Sequence, residues 1–385
     1  MKEKQEVFMI VLQQADVYVP DFAGRQDILI AGGQIVKMAE HLDCREAEVI
    51  DARGKIAVPG LIDQHIHITG GGGEGSFHTK TPEVQLSALI EGGITTAVGL
   101  LGTDGFSRSV ENLISKAKAL KEEGLSVVCL TGSYSYPSVT LTGDVKKDIL
   151  FIDEVIGVKL ALADHRSSNV TLEELIRLAS DVRVAGMLSG KAGIVTLHMG
   201  DDPQGLNKVF DALKQTAIPA KVFHPTHVTR NPVLFEQALE FLRLGGWIDL
   251  TAGSNREKSC GDYIEIAKQR GLDTSRITLS SDGQGSWSNY DERGSLTQIG
   301  VSSVQALHQQ LVRMVKENHF DLAEALSYVT SNPADALQLK HKGRLQEGMD
   351  ADIVLLDEDL AVDTVIARGK LMMKDRQLLV RGTYE

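Results

Sequence analysis

Cysteine is scarce in this chain. Its three thiols, Cys44, Cys129 and Cys260, lie far apart and form no CxxC pair. That spacing argues against a disulfide framework and fits a reducing compartment, so a cytoplasmic setting is expected. Blocks of Lys and Arg are missing too, and 52 acidic against 40 basic side chains leave a net charge of −12. Such a surface repels polyphosphate, and nucleic acid is not expected as a partner. The apolar run near the start, Val7 to Leu12, is too short for a signal-peptide core or a bilayer span, so no membrane association is expected. What remains is an ordinary globular composition over 385 residues, 42% hydrophobic and 24% charged.

The two ends share a β-rich texture. Residues 7 to about 55 read as short strands and turns (VFMIVL, ADVYV, DILIAGGQIVKMA, AEVIDA), and DADIVLLDEDL, DTVIARGKLMMK and LLVRGTYE return to it. Together 1–55 and 341–385 predict one small β-sandwich domain. Between them, residues 56–340 alternate short apolar runs with amphipathic stretches at a period of roughly 30 residues. The runs begin near Ala57, Thr95, Ser126, Gly157, Gly193, Ala220, Trp247 and Ile277. Near-continuous apolar strands are buried on both faces, as in a parallel sheet. Eight strand-plus-helix units predict an α/β fold of the (β/α)8 TIM-like barrel type. A doubly wound open sheet is the alternative, but no GxGxxG follows the first strand.

Active sites of such barrels lie at the C-terminal strand ends. Strand 1 ends in His65-Ile66-His67, a spacing of two that turns both imidazoles to one face. His198 ends strand 5, a histidine ends strand 6, and Asp282 ends strand 8. Lys159 lies inside the apolar run of strand 4, where an ammonium needs a partner; Asp164 is one choice and the barrel mouth another. Each has a plain structural alternative, but their coincidence at one end of different strands points to metal ligation. Strand 6 leaves an ambiguity, since spacing alone does not say whether His224 or His227 points inward around Pro225. The remaining histidines, His41, His78, His165, His308, His319 and His341, lack the strand-end setting.

Imidazoles and a carboxylate suit zinc, and the ligands are numerous enough for two ions. Two adjacent cations need an anionic bridge, which a carbamate formed from CO2 and the neutral amine of Lys159 would supply. A bridging water would then be a hydroxide near neutral pH, with Asp282 taking its proton and Tyr134, near the end of strand 3, donating to the developing oxyanion. The reaction class is metal-assisted hydrolysis of an amide or related bond.

PGLIDQHIH, the strand-4 lysine, SSDG and GRLQEGMDADIVLLD resemble the amidohydrolase superfamily. DQHIHITGGGGEG, AVGLLGTDG, LTGSYSYPS, GVKLALADHRSS, LHMGD, PTHVTRNPVLFEQALEF and LSSDGQGS, in that order, resemble the isoaspartyl (β-aspartyl) dipeptidases within it. The resemblance implies two zinc ions per subunit, His65 and His67 on one and His198 and His227 on the other. It makes Lys159 the carboxylated bridge and Asp282 both ligand and proton shuttle. Substrate contacts would fall at Gly72, Glu74, Thr103, Tyr134, Arg166, Arg230 and Ser286, and the protein would form a homo-oligomer, an octamer. The substrate would be a small dipeptide whose isopeptide carbonyl is attacked by the bridging hydroxide. Its chemistry agrees with these residues: a β-aspartyl dipeptide offers one ammonium and two carboxylates, matching Glu74, Arg166 and Arg230. The rivals are a cyclic amidase of dihydroorotase or hydantoinase type, a non-catalytic assembly protein on the same fold, and a mononuclear deaminase in which Lys159 would have no role.

Overall fold

The computed structural model describes residues 9–253 and 258–385, so the first two residues of the strand expected from Val7 lie outside the described residues. Both termini fold into one nine-stranded sheet. Met9–Tyr18 pairs with Phe22–Ala31, which pairs with Gln34–Ala39. Ile10 and Leu12, then Ala15 and Val17, face the same core as Ile28 and Ile30. The inward set moves from even to odd numbers because a bulge intervenes, with Gln14 at φ 60° and its N–H donating to Asp27. Ile353–Leu356, Val362–Ala367 and Lys370–Lys374 complete the sheet from the other end, while Leu379–Glu385, expected as strand, has none.

The apolar run from Ile56 to Ile68, expected as one barrel strand, is two elements in different sheets. Ile56–Pro59 pairs with Met9–Tyr18 and with Ile353–Leu356, sealing the terminal sheet. The chain then crosses to the barrel at Gly60, where a Cβ would collide with the side chain of Thr95. The sheet thus extends four residues past the expected boundary at 55/56.

Eight parallel strands follow: β1 (Leu61–Ile66), β2 (Ile94–Gly99), β3 (Ser126–Gly132), β4 (Val155–Leu162), β5 (Ile194–Met199), β6 (Phe223–Thr226), β7 (Ile248–Thr251) and β8 (Ile277–Ser280). β1 to β6 form one ladder and β7 with β8 a second, and a bridge from Ile66 to Gly283 brings the end of β8 back to β1. This curled sheet is the predicted barrel. The amphipathic stretches form its outer helices. Leu172–Ser189, for example, buries Leu175, Leu178, Ala179, Val182 and Ala185 and starts with a capping box between Thr171 and Glu174, a device worth about 1 kcal/mol. A hairpin, Ser286–Tyr290 with Leu296–Val301, stands beyond β8; its polar sequence gave no strand signal. Among the described residues no helix is long and apolar enough to cross a membrane.

Candidate active site

The strand ends bring all six expected ligands together. His65 on β1 and His67 just beyond it are buried, their ring centroids 5.6 Å apart. Asp282 Oδ1 lies 3.4 Å from His65 Nε2 and 3.2 Å from His67 Nε2, satisfying hydrogen-bond geometry with neither. Lys159, fully buried in β4, places Nζ 2.9 Å from His65 Nε2. His198 on β5 packs edge-on to His227, centroids 4.5 Å apart, and His227 lies 5.1 Å from His65. Single ligand atoms of His65, His227 and Asp282 lie within 4.8 Å of one another.

The strand-6 ambiguity is resolved by backbone conformation. His224 and Thr226 face the barrel interior two apart, and His224 Nε2 contacts the Lys221 carbonyl at 3.1 Å. His227 follows the strand at φ 61°, a left-handed turn that redirects its ring into the cluster, and Asp282 does the same at φ 53°.

Burial pushes His65, His198 and His227 well below the usual histidine range, and the neighbouring cations add to it. Burial likewise takes Lys159 down to about 7. These three imidazoles are thereby held neutral, and Lys159 is brought within reach of its neutral amine. His67 Nδ1, His227 Nε2 and Asp282 Oδ1 are buried with no hydrogen-bond partner, a costly arrangement in the protein alone. Buried imidazoles gathered about a carboxylate, with several of their polar atoms left unpartnered, fit divalent cations, zinc among them.

Around the cluster stand the groups that orient it. Thr251 Oγ1 holds His227 Nδ1 at 2.7 Å, which leaves Nε2 aimed inward. Tyr134 OH meets His198 Nδ1 at 2.7 Å, and burial raises its phenol, keeping it protonated. Asp164 is not the partner of Lys159. It takes three hydrogen bonds from Arg166, two from the guanidinium at 2.9 Å and one from the backbone N–H at 2.8 Å, and lies 3.2 Å from His198 Nε2. Burial opposes its charge, but Arg166 overrides burial and holds the carboxyl below its usual range.

Glu74, in the loop after β1, is linked to the cluster through Arg166, whose Nη2 lies 3.1 Å from His198 Nε2. Its carboxylate accepts from Ser286 Oγ at 2.9 and 3.0 Å, Thr103 Oγ1 at 3.3 Å and Arg166 Nη1 at 3.2 Å. Among the described residues the Arg230 side chain makes long contacts, 3.9 Å to Asp164 and to Asp201 and 3.5 Å to His198. Beside these lies a cavity of about 730 Å³ lined by Arg166, Arg230, Asp282, Ser286, Trp287 and also His165, which the sequence gave no reason to place here. Of the expected substrate contacts Arg166, Arg230 and Ser286 line it, whereas Glu74, Thr103, Tyr134 and Gly72 do not. At φ 80° Gly72 bridges to Lys80, and a Cβ there would press on the Thr79 carbonyl, so its part is to shape the loop that presents Glu74. Thr251 and the buried Asp249 and Gln64 were missed, and Asp164 was expected only as a partner of Lys159: single polar residues on or beside strands carry no spacing signal.

Residues 56–372 match the profile of the amidohydrolase family. A β-aspartyl dipeptidase from the thermophilic keratin-degrading Fervidobacterium islandicum AW-1, solved in complex with β-Asp-Leu dipeptide, is 45% identical with a TM-score of 0.92, covering 96% of this chain and 98% of that one. A second structure of that organism's enzyme gives 43% and 0.88, with the same coverage. The expected kinship with the isoaspartyl dipeptidases is therefore met. A D-hydantoinase at 19% identity and TM-score 0.68, covering 97% of both chains, shares the fold. A dihydroorotase of Bacillus cereus (strain B4264) is 25% identical over 393 residues, 89% of this chain and 88% of its own.

Proposed function

The chain belongs to the amidohydrolase family, and on that footing we propose that it is a dipeptidase cleaving β-aspartyl (isoaspartyl) dipeptides with two zinc ions. His65, His67, His198, His227 and Asp282 would hold the ions, with Lys159 bridging them as its carbamate. A depressed lysine favours the neutral amine from which a carbamate forms. When bound, the ions supply a water nucleophile at neutral pH and polarise the scissile carbonyl.

The chain's own groups do the rest. Asp282 accepts the proton of the attacking water and returns one to the departing amine. Tyr134, kept protonated by burial, donates to the oxygen on which negative charge develops. Glu74 takes the free α-ammonium of the aspartyl part, and Arg166 and Arg230 attract the two carboxylates. The observation that carries this reading is Glu74 fixed by Thr103, Ser286 and Arg166, the last of which also reaches His198. A carboxylate so held is suited to a free ammonium, and a ring amide has none.

The same feature separates this reading from a cyclic amidase. Zinc-loaded protein should hydrolyse β-Asp-Leu and leave dihydroorotate and hydantoin almost untouched; ring opening at a comparable rate would overturn the dipeptidase reading. Assembly into an octamer belongs to this reading by kinship, and sedimentation giving a monomer at assay concentration would remove it.

A further inference from the structure

The barrel ladder is broken at two places. Among the described residues no ladder joins β6 to β7, and the seam from β8 to β1 carries only the bridge between Ile66 and Gly283. Both seams lie beside proposed ligands: His227 follows β6, Asp282 follows β8, and His65 is on β1.

One buried carboxylate spans both. Asp249, in the middle of β7 and 3% exposed, accepts from Thr226 Oγ1 of β6 at 2.7 Å and from Gln64 Nε2 of β1 at 2.6 Å. From β8 it accepts Thr278 Oγ1 at 3.0 Å and Ser280 Oγ at 2.6 Å. Three of these donors sit close to a ligand in sequence. Gln64 precedes His65, Thr226 precedes His227, and Ser280 lies two before Asp282. A buried carboxyl with this many donors is a costly way to fill a barrel, which apolar side chains would do at less expense. Its geometry is what an apolar residue would not reproduce. Asp63 reinforces one seam in the same manner, its Oδ1 taking the N–H groups of His65 and Ser281, each at 3.2 Å.

We propose that Asp249 is a positioning residue of the metal centre: it replaces the missing backbone ladder with side-chain hydrogen bonds and sets the distance between the ligands of β1, β6 and β8. This inference rests on the metal reading above. Asp249 acts through its neighbours' backbones and touches no substrate.

The test compares wild type with D249N, which preserves volume but places an amide donor where donors already converge. Zinc affinity is measured by chelator competition and strand opening by amide hydrogen exchange. The expected result is a loss of zinc affinity of about tenfold or more, the scale of outer ligand-orienting contacts. Exchange should rise in Phe223–Thr226 and Ile248–Thr251 and stay unchanged in β3 and β4, and KM for β-Asp-Leu should stay within about twofold while kcat falls. Acceleration spread evenly over all strands would mark a merely structural role and overturn the proposal, as would wild-type zinc affinity in folded D249N. If D249N does not fold, T226V and Q64M each remove one donor and are expected to weaken zinc retention; wild-type retention in both overturns the proposal. Wild type that binds no zinc defeats the metal reading and this one with it, whereas zinc held equally by wild type and variants defeats this one alone.

Discussion

Glu74 lies close to Arg166, Thr103 and Ser286, which fix its carboxylate without consuming all its lone pairs. Replacing it by glutamine keeps the shape and removes the charge that a substrate ammonium would meet. A charged hydrogen bond lost in a dry site costs ~2–3 kcal/mol, so kcat/KM of E74Q for β-Asp-Leu should fall roughly 30- to 150-fold. Steady-state kinetics check this, and zinc content should not change. For Tyr134, 2.7 Å from His198, phenylalanine removes only the hydroxyl. If the phenol serves the oxyanion, kcat of Y134F should drop by about 10²- to 10³-fold with KM little altered; a pure KM effect would assign Tyr134 to binding. At this scale the sequence was informative wherever a residue type was improbable for its place. An HxH at a strand end and a lysine inside VKLAL draw notice for that reason, whereas Asp249 and Thr251 look like ordinary strand residues until their partners are seen.

The loop between β1 and the helix at Leu86–Glu91 carries Glu74, and one side chain ties its base. Arg108 donates to the carbonyls of Thr69 and Thr81, the two ends of the segment. Thr81 Oγ1 in turn takes the Gly71 N–H and donates to the Gln284 carbonyl. Methionine at 108 would keep the stem's packing and release the loop ends. A misplaced Glu74 should raise KM for β-Asp-Leu roughly 10- to 100-fold with zinc content unchanged, and unaltered KM in R108M would show that the loop holds itself. Elements were legible in proportion to their apolar periodicity. The barrel strands and the helices at Val110–Glu123, Leu172–Ser189 and Pro232–Arg243 follow the expected runs. The run from Ile56 to Ile68 misled because two strands of different sheets meet head to tail at Gly60, and hydrophobicity alone does not mark a change of sheet. The hairpin after β8 escaped notice because its strands, half exposed, read as a polar loop. His227 and His224 differ by a single left-handed residue, which no period of two or 3.6 encodes.

The whole molecule pays in stability for its centre. His65, His198 and His227 are held neutral by burial, then by nearby cations, and their folded proton affinity lies well below the usual 6.5. The unfolded chain takes up protons there and the folded chain does not, so stability is lost as pH falls below about 6.5, by up to ~1.4 kcal/mol per imidazole per pH unit. Lys159, lowered to about 7 from 10.5, acts with the same sign higher up: stability gains as pH rises through that window. Chelator-treated protein should therefore show a lower urea midpoint at pH 5.5 than at 6.5, and a lower one at 6.5 than at 8. Asp63, raised by burial to about 7, and Asp249, raised likewise, offset part of this gain, and a midpoint that falls as pH rises from 5.5 to 8 would mean that the buried imidazoles and lysine are not neutral. The most direct test of the whole account is the ratio of kcat/KM for β-Asp-Leu to that for α-Asp-Leu, measured on protein of known zinc content. Moving the linkage displaces the ammonium from Glu74 and a carboxylate from its arginine, so the account predicts a preference for the β-linked dipeptide of about 10²-fold or more, lost when zinc is removed. Equal turnover of the two isomers, or β-Asp-Leu hydrolysis undiminished after zinc removal, would contradict it.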